Sequence, residues 1–373
     1  MRDTFRRYLL PALVFQSIIV GGGYGTGREL VEFFLQYGPV GGLYGMLGPT
    51  LVLVTLCCMI GFEMARRFQA YDYRRFFGEL LGPGWILYEI TYLVFIVLIM
   101  AVLGSAAGNF LEETFAVPYA VGVVGLLVAV AFLVFLGTGV IENVLASWSF
   151  VLYGVYLIFF VWAISSFGDE IAAALSEGKV EDGWIGAGVR YAAGTVGVLP
   201  AMLFATRHIE TRRQALTAGL IAGPVALLPA LLFYFAMLGQ YPAVLERPVP
   251  ANFLLEVLGS RAFQIFFQVM LFGTLIETGA GLIHAFNERI AGALETDGRS
   301  LPKWARPTVA VVLLAGAAAL SRIGIIALIG RGYGTITWAF VLLLIVPLLT
   351  VGLWRVRRPE EALRERSGTL RGA

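Results

Sequence analysis

Ten apolar runs, each long enough or nearly long enough to cross a bilayer, follow one another along the 373 residues. They cover roughly 8–37, 41–65, 83–111, 118–138, 142–166, 186–208, 213–239, 261–291, 306–322 and 332–354. A stretch of about 20 apolar residues crosses hydrocarbon as a helix, because a helix satisfies its own backbone where no water can. A soluble core could not hold so many such runs. Hydrophobic residues make up 58% of the chain and charged residues 14%, where about 25% charged is usual in soluble domains. The same numbers exclude intrinsic disorder. The chain therefore reads as an all-α polytopic membrane protein with ten transmembrane helices. At 1.5 Å per residue the first, third and eighth runs reach about 45 Å, so they are tilted, broken or protruding.

Basic residues set the orientation. Arg2 to Arg7, Arg66 to Arg75, Arg207 to Arg213, Arg289 to Arg306 and Arg355 to Arg371 place twenty Lys and Arg on one side. Lys179, Arg190, Arg247, Arg261, Arg322 and Arg331 place six on the other. The positive-inside rule then puts both termini in the cytoplasm, in the cell (cytoplasmic or inner) membrane. Tyr8 to Val20 after Arg2, Arg6 and Arg7 imitates a signal peptide, but 13 residues are too short to span alone. Arg28 to Tyr37 resumes as an amphipathic helix, so an interrupted spanning helix accounts for both halves.

Other classes find little support. A net charge of +2 gives no reason to expect a nucleic-acid partner. Cys57 and Cys58 are adjacent and form no ordinary disulfide with each other. No Walker loop, nucleophile elbow or HExxH occurs, so no enzyme is expected and no cofactor beyond a coupling ion.

The two halves correspond. Residues 8–166 form repeat one and 186–354 repeat two, five spans each, within a single domain of 1–373. The segment 167–185 is an outer loop with a possible short surface helix, and 355–373 is a cytoplasmic tail. A second outer loop, 240–260, could cap an entrance or merely solvate that face. Five spans per half give the halves opposite orientation, as an inverted repeat requires. Each half opens on a span interrupted by glycine: Gly21, Gly22, Gly23, Tyr24, Gly25, Thr26 and Gly27 in the first, and Gly194, Thr195, Val196, Gly197 and Pro200 in the sixth. Paired interruptions of this kind are the best sequence pointer to a transporter site. Unwound backbone at membrane depth persists where it lines a cavity or binds something. The helix N-terminus near Arg28 would offer N–H donors to an anion, and the carbonyls of Gly21 to Tyr24 would face a cation. The alternative is that the glycines only allow close packing, since Gly22 and Thr26 form a small-xxx-small pair.

The segment Val20-Gly21-Gly22-Gly23-Tyr24-Gly25-Thr26-Gly27-Arg28-Glu29, followed by Phe33-Phe34 and Tyr37-Gly38, resembles the first-span signature of YkvI-like membrane proteins. Those resemble the amino acid–polyamine–organocation (APC) superfamily, with the LeuT-type fold. Glu277-Thr278-Gly279-Ala280-Gly281-Leu282-Ile283 through Asn287-Glu288-Arg289 is similar to the matching eighth-span segment. The resemblance implies a 5+5 inverted repeat with helices 1 and 6 discontinuous. It also implies a Na⁺ site built from the Gly21 and Tyr24 carbonyls with Thr274 or Thr278, and Glu277.

Intramembrane charges are functional hypotheses by default. Glu277 lies near mid-depth of the eighth run and could carry a proton. Its structural alternative is an ion pair with Arg28. Arg28, Glu29 and Glu32 form a charged turn suited to gating or to a pair along the helix. Tyr24, Tyr92, Trp148 and Trp338 are candidate pocket aromatics, and Glu89 a residue of the inner path or the interface. The reading is a secondary active transporter for a small amino acid, zwitterion or amine, working by alternating access with Na⁺ or H⁺. Substrate contacts would come from Gly21 to Gly27, Tyr92 and Gly194 to Gly197. A membrane sensor or an uncoupled channel is the alternative.

Overall fold

The computed structural model describes residues 2–19, 22–71, 73–136, 153–296 and 304–358. Among them there is no strand. The first expected span is divided into α1 (Leu10–Ile19), α2 (Gly22–Thr26) and α3 (Arg28–Phe33). It is followed by α4 (Pro39–Phe68), α5 (Tyr73–Leu81), α6 (Trp85–Phe115), α7 (Tyr119–Leu136) and α8 (Tyr153–Ser166). A short surface helix, α9 (Gly168–Ser176), stands where the 167–185 loop was expected to carry one. The second half runs through α10 (Trp184–Gly197), the 3-10 helix α11 (Leu199–His208), α12 (Arg212–Leu238), α13 (Pro250–Val257), α14 (Arg261–Thr296), α15 (Ala305–Ser321) and α16 (Ile325–Arg357).

Helices thus stand at all ten expected span positions, with residues 142–152 of the fifth outside the described residues. Among the described residues, five helices are by themselves long and apolar enough to cross a membrane. The number rises to seven when each bent pair, α8 with α9 and α10 with α11, is taken as one span. The remaining positions fall short for identifiable reasons. The first is broken, and the fourth and ninth are shorter apolar helices. At 36 residues α14 is about 54 Å long, so it extends beyond the hydrocarbon or tilts within it.

Small residues draw the spans together, as expected where lipid removes any hydrophobic drive between helices. A Cβ at Gly219 would run into the backbone of Met59, and one at Gly223 would lie 2.9 Å from Thr55 Cβ, so α12 presses directly on α4. A Cβ at Gly122 would lie 2.8 Å from Gly108 Cα, which brings α7 just as close to α6.

The start of α12 is written in the sequence. Thr211 Oγ1 accepts from the Gln214 N–H at 3.3 Å, and the Gln214 side chain accepts from the Thr211 N–H at 3.1 Å. This reciprocal box satisfies two otherwise free donors at the helix N-terminus. Thr211→Ala is expected to lower stability by about 1 kcal/mol. An unchanged thermal midpoint in detergent would show that the box contributes nothing.

Candidate functional site

The first break lies at Gly27. Its φ is +80°, a left-handed conformation natural to glycine, and its N–H donates to the Tyr24 carbonyl at 3.0 Å. Of the interruption expected over Gly21 to Gly27, only Gly27 departs from helix among the described residues. Gly22, Gly23, Tyr24, Gly25 and Thr26 form the helix α2, and Gly21 lies outside the described residues. The reason is that glycine also tolerates helix when neighbours hold it, and α2 is packed against α6 and α14. Gly25 faces the Tyr156 hydroxyl and Leu271, so a side chain there would collide with both.

The anion-binding N-terminus expected near Arg28 is largely capped by its own chain. The Arg28 N–H donates to Thr26 Oγ1 at 3.3 Å, and the Leu30 and Val31 N–H groups donate to the Gly27 carbonyl at 3.1 and 3.2 Å.

The second break follows Gly197. The axes of α10 and α11 differ by 57°. Pro200, in the first turn of α11, has no N–H to continue an α-helical ladder, and the chain goes on as a 3-10 helix. Gly194 meets Thr337 and Gly197 meets the Phe340 ring, both on α16. Thr195 and Val196 are buried beside them. The Tyr88 hydroxyl on α6 donates to the Gly197 carbonyl at 2.7 Å, one of the acceptors exposed when the helix stops. Tyr92 is buried and stacks on Tyr88 with ring centroids 5.9 Å apart.

The charged turn has a definite partner set. Arg28 and Glu32 form a buried ion pair, 6% and 11% exposed. Arg28 also donates to the Leu245 and Arg247 carbonyls at 2.7 and 3.0 Å. The 240–260 loop is thereby fastened to the first span. This overturns the alternative in which Arg28 pairs with Glu277, since its Nη1 and Nη2 are already committed to the loop and to Glu32. A cavity of about 640 Å³ opens beside Glu32, with Asn109, Tyr119 and Arg331 in its wall. Glu29 is half-buried on the neighbouring face of α3.

Asn252, on α13, fastens the same loop a second time. Its Oδ1 accepts from Gln264 at 3.0 Å and Gln268 at 2.6 Å, and its Nδ2 donates to Glu113 at 2.9 Å. Arg261 adds a hydrogen bond to the Thr114 carbonyl at 3.0 Å. Spans three and eight and the loop helix meet in this polar cluster. At the other end of the molecule, exposed and half-exposed pairs join Arg7 to Glu210 and Arg355 to Glu79. Glu89 accepts from the Tyr73 hydroxyl.

Glu277 is half-buried on α14, within electrostatic reach of the Tyr153 hydroxyl. Among the described residues it has no hydrogen bond or ion pair. Thr274, one turn earlier, is buried, and its hydroxyl donates to the Met270 carbonyl at 3.0 Å. The Tyr24 carbonyl, which accepts from Gly27, keeps a second lone pair for a cation. Thr278 is half-buried on the same helix. Trp338 is 48% exposed, so it faces away from any interior pocket, and Trp148 lies outside the described residues. Tyr156, Tyr191, Tyr333 and Asn252 matter to this region, yet no motif marked them. Only the nearness of Tyr191 to Gly194 along the chain pointed toward the sixth break.

No family model matches the chain. A curated relative, "Uncharacterized membrane protein YkvI" from Bacillus subtilis (strain 168), is 22% identical over 295 residues, covering 76% of this chain and 81% of that protein. Among solved structures, that of MhsT in complex with L-phenylalanine matches with a TM-score of 0.55 at 14% identity, over 93% of this chain and 96% of that one. The substrate-bound outward-open structure of a Na⁺-coupled sialic acid symporter matches with a TM-score of 0.48 at 12% identity, over 93% and 86%. The likeness to MhsT shows the fold: an all-α polytopic membrane protein of the LeuT type, with a five-plus-five inverted repeat and its first and sixth spans discontinuous.

Proposed function

We propose that this chain is a secondary active transporter that moves a small amino acid, zwitterion or amine by alternating access, and that it belongs to the APC superfamily. The observation that carries the reading is the interrupted first span, with α2 set against α6 and α14 and left-handed Gly27 beside it. Broken spans at matching places in two halves are where such folds bind their solute. The shared fold with MhsT, whose structure holds L-phenylalanine, supports an amino-acid-like solute. Gly21 to Gly27, Tyr92 and Gly194 to Gly197 would line the site. Arg28 and Glu32, with the loop they hold, would form its gate. The protein would sit in the cell membrane with both termini in the cytoplasm.

Coupling to Na⁺ or H⁺ is part of the same reading. The Tyr24 carbonyl and the Thr274 and Thr278 hydroxyls are hard oxygen donors suited to Na⁺, with Gly21 and Glu277 completing the set. Such an ion would tie the first span to the eighth when bound. Glu277 is the proposed proton carrier if protons drive transport, because it sits within a span and no cation pairs with it among the described residues.

Uptake into proteoliposomes, with and without Na⁺ and with and without an inward proton gradient, tests this. Wild-type protein is expected to concentrate a labelled amino acid or amine under one of the two gradients. Glu277→Gln is expected to remove the response to the proton gradient while binding remains. A variant that kept wild-type uptake and wild-type pH dependence would overturn the role of Glu277. Absence of gradient-driven uptake for every solute of the class would overturn the transporter reading.

A further inference from the structure

Four tyrosines and one carboxylate from four different spans gather beside the first break. Tyr24 on α2 and Tyr156 on α8 are 1% and 3% exposed, and the hydroxyls of both are buried without any hydrogen-bond partner. The Tyr156 hydroxyl lies against Gly25. Tyr191 on α10 and Tyr333 on α16 are buried as well, and Glu29 lies within electrostatic reach of the Tyr24, Tyr191 and Tyr333 hydroxyls. The packing agrees, since α3 touches both α10 and the start of α16. The Tyr191 ring is held edge-on by Phe34 at 4.7 Å, and Phe95 flanks Tyr333 at 5.5 Å.

Glu29 has no counter-charge in this place. Arg28 next to it is committed to Glu32 and the loop carbonyls. Among the described residues Glu29 itself forms no hydrogen bond or ion pair. A carboxylate away from bulk water is costly unless a cation or a proton joins it. Unpartnered buried hydroxyls are costly too, and two of them stand in the same place. Together these groups want one guest that is positive and can donate hydrogen bonds. An anion is opposed by Glu29. A metal ion would find one carboxylate and neutral phenols, a poor donor set. An alkylammonium fits better: it pairs with the carboxylate, donates to hydroxyl oxygens, and is attracted to aromatic ring faces.

We propose that Glu29, faced by Tyr24, Tyr191 and Tyr333, is the subsite that receives the ammonium group of the transported solute. This rests on the transporter reading and narrows its substrate class to compounds carrying a protonated amine. Glu29 then acts as a substrate-binding residue, separate from the Arg28–Glu32 gate beside it.

The test uses the full-length protein in detergent and two charge-matched probe pairs, propylamine with butyrate and phenethylamine with 3-phenylpropionate. At least one amine is expected to raise the thermal midpoint of the wild type, and its carboxylate partner is not. Glu29→Gln is expected to weaken that amine at least tenfold, while Glu29→Asp keeps amine selectivity at a shifted midpoint. Glu29→Asp serves in its place if Glu29→Gln aggregates. The subsite is overturned if neither amine stabilises the wild type, if the carboxylates do so instead, or if Glu29→Gln binds the amine within twofold of wild type. It is equally overturned if Glu29→Asp loses the distinction between amine and carboxylate.

Proteoliposome uptake of the same labelled amine separates the two levels. Uptake that Glu29→Gln leaves unchanged removes the subsite and keeps the transporter. Amine binding that depends on Glu29 without any uptake by the wild type keeps the subsite and removes the transporter.

Discussion

Arg28→Ala is expected to destabilise the protein by about 3–5 kcal/mol, the usual cost of removing one partner from a buried ion pair. The guanidinium does three things at once. It neutralises Glu32, which is 11% exposed, and it satisfies the carbonyls of Leu245 and Arg247. Its loss leaves a buried carboxylate without a counter-charge and two acceptors without donors. The 240–260 loop would lose its fastening to the first span, so protease cleavage within it should accelerate along with the fall in thermal midpoint. The double variant Arg28→Gln, Glu32→Gln should recover part of the loss, because it removes both charges together. Lys179→Ala is the contrasting case. Lys179 and Glu181 are 48% and 52% exposed, and solvent screening leaves such an exposed pair little to contribute. If Arg28→Ala melted like Lys179→Ala and its loop stayed resistant, the ion pair would not be what holds the loop.

Gly27→Ala is the second large effect, expected at about 2–5 kcal/mol. A left-handed φ costs an ordinary residue about 1–2 kcal/mol, and overpacking adds about 1–3. The new Cβ would stand 2.8 Å from Phe233 Cζ and 3.2 Å from Pro250 Cβ. Neither neighbour can step aside easily. Phe233 is fully buried, with Phe159 and Phe160 at 5.7 and 5.4 Å, and Pro250 opens the loop helix α13. Gly186→Ala should behave oppositely, since it lies inside α10 with nothing within 4 Å of the added atom. There alanine gains up to about 1 kcal/mol of helix propensity. Comparing the two thermal midpoints checks the claim. A Gly27→Ala protein as stable as wild type would mean that the break is not rigid at this point.

Much of the architecture was legible because it follows from local composition. Hydropathy placed ten spans, and helices occupy those positions. The glycine and proline clusters marked the first and sixth spans as broken. The exact residue of the first break was not legible. Gly21, Gly22, Gly23, Gly25 and Gly27 are chemically identical, and only the neighbours decide which one leaves the helix. Glu113, at the end of α6, accepts from Asn252 on α13. Nothing in the spacing of residues 113 and 252 could have paired them.

The sequence by itself determined that this chain lives in a membrane as helices, where those helices run, and which few charges lie inside them. The tertiary structure decided which charge meets which partner. Arg28 could have joined Glu277 or Glu32, and the packed molecule selects Glu32 together with the loop carbonyls. It also decided that Tyr24, Tyr191 and Tyr333 stand within electrostatic reach of Glu29. The physical reason is that hydropathy and helix propensity are sums over neighbours in sequence. The face a helix turns toward its partners is set by close packing between spans, and that packing depends on residues more than a hundred positions apart.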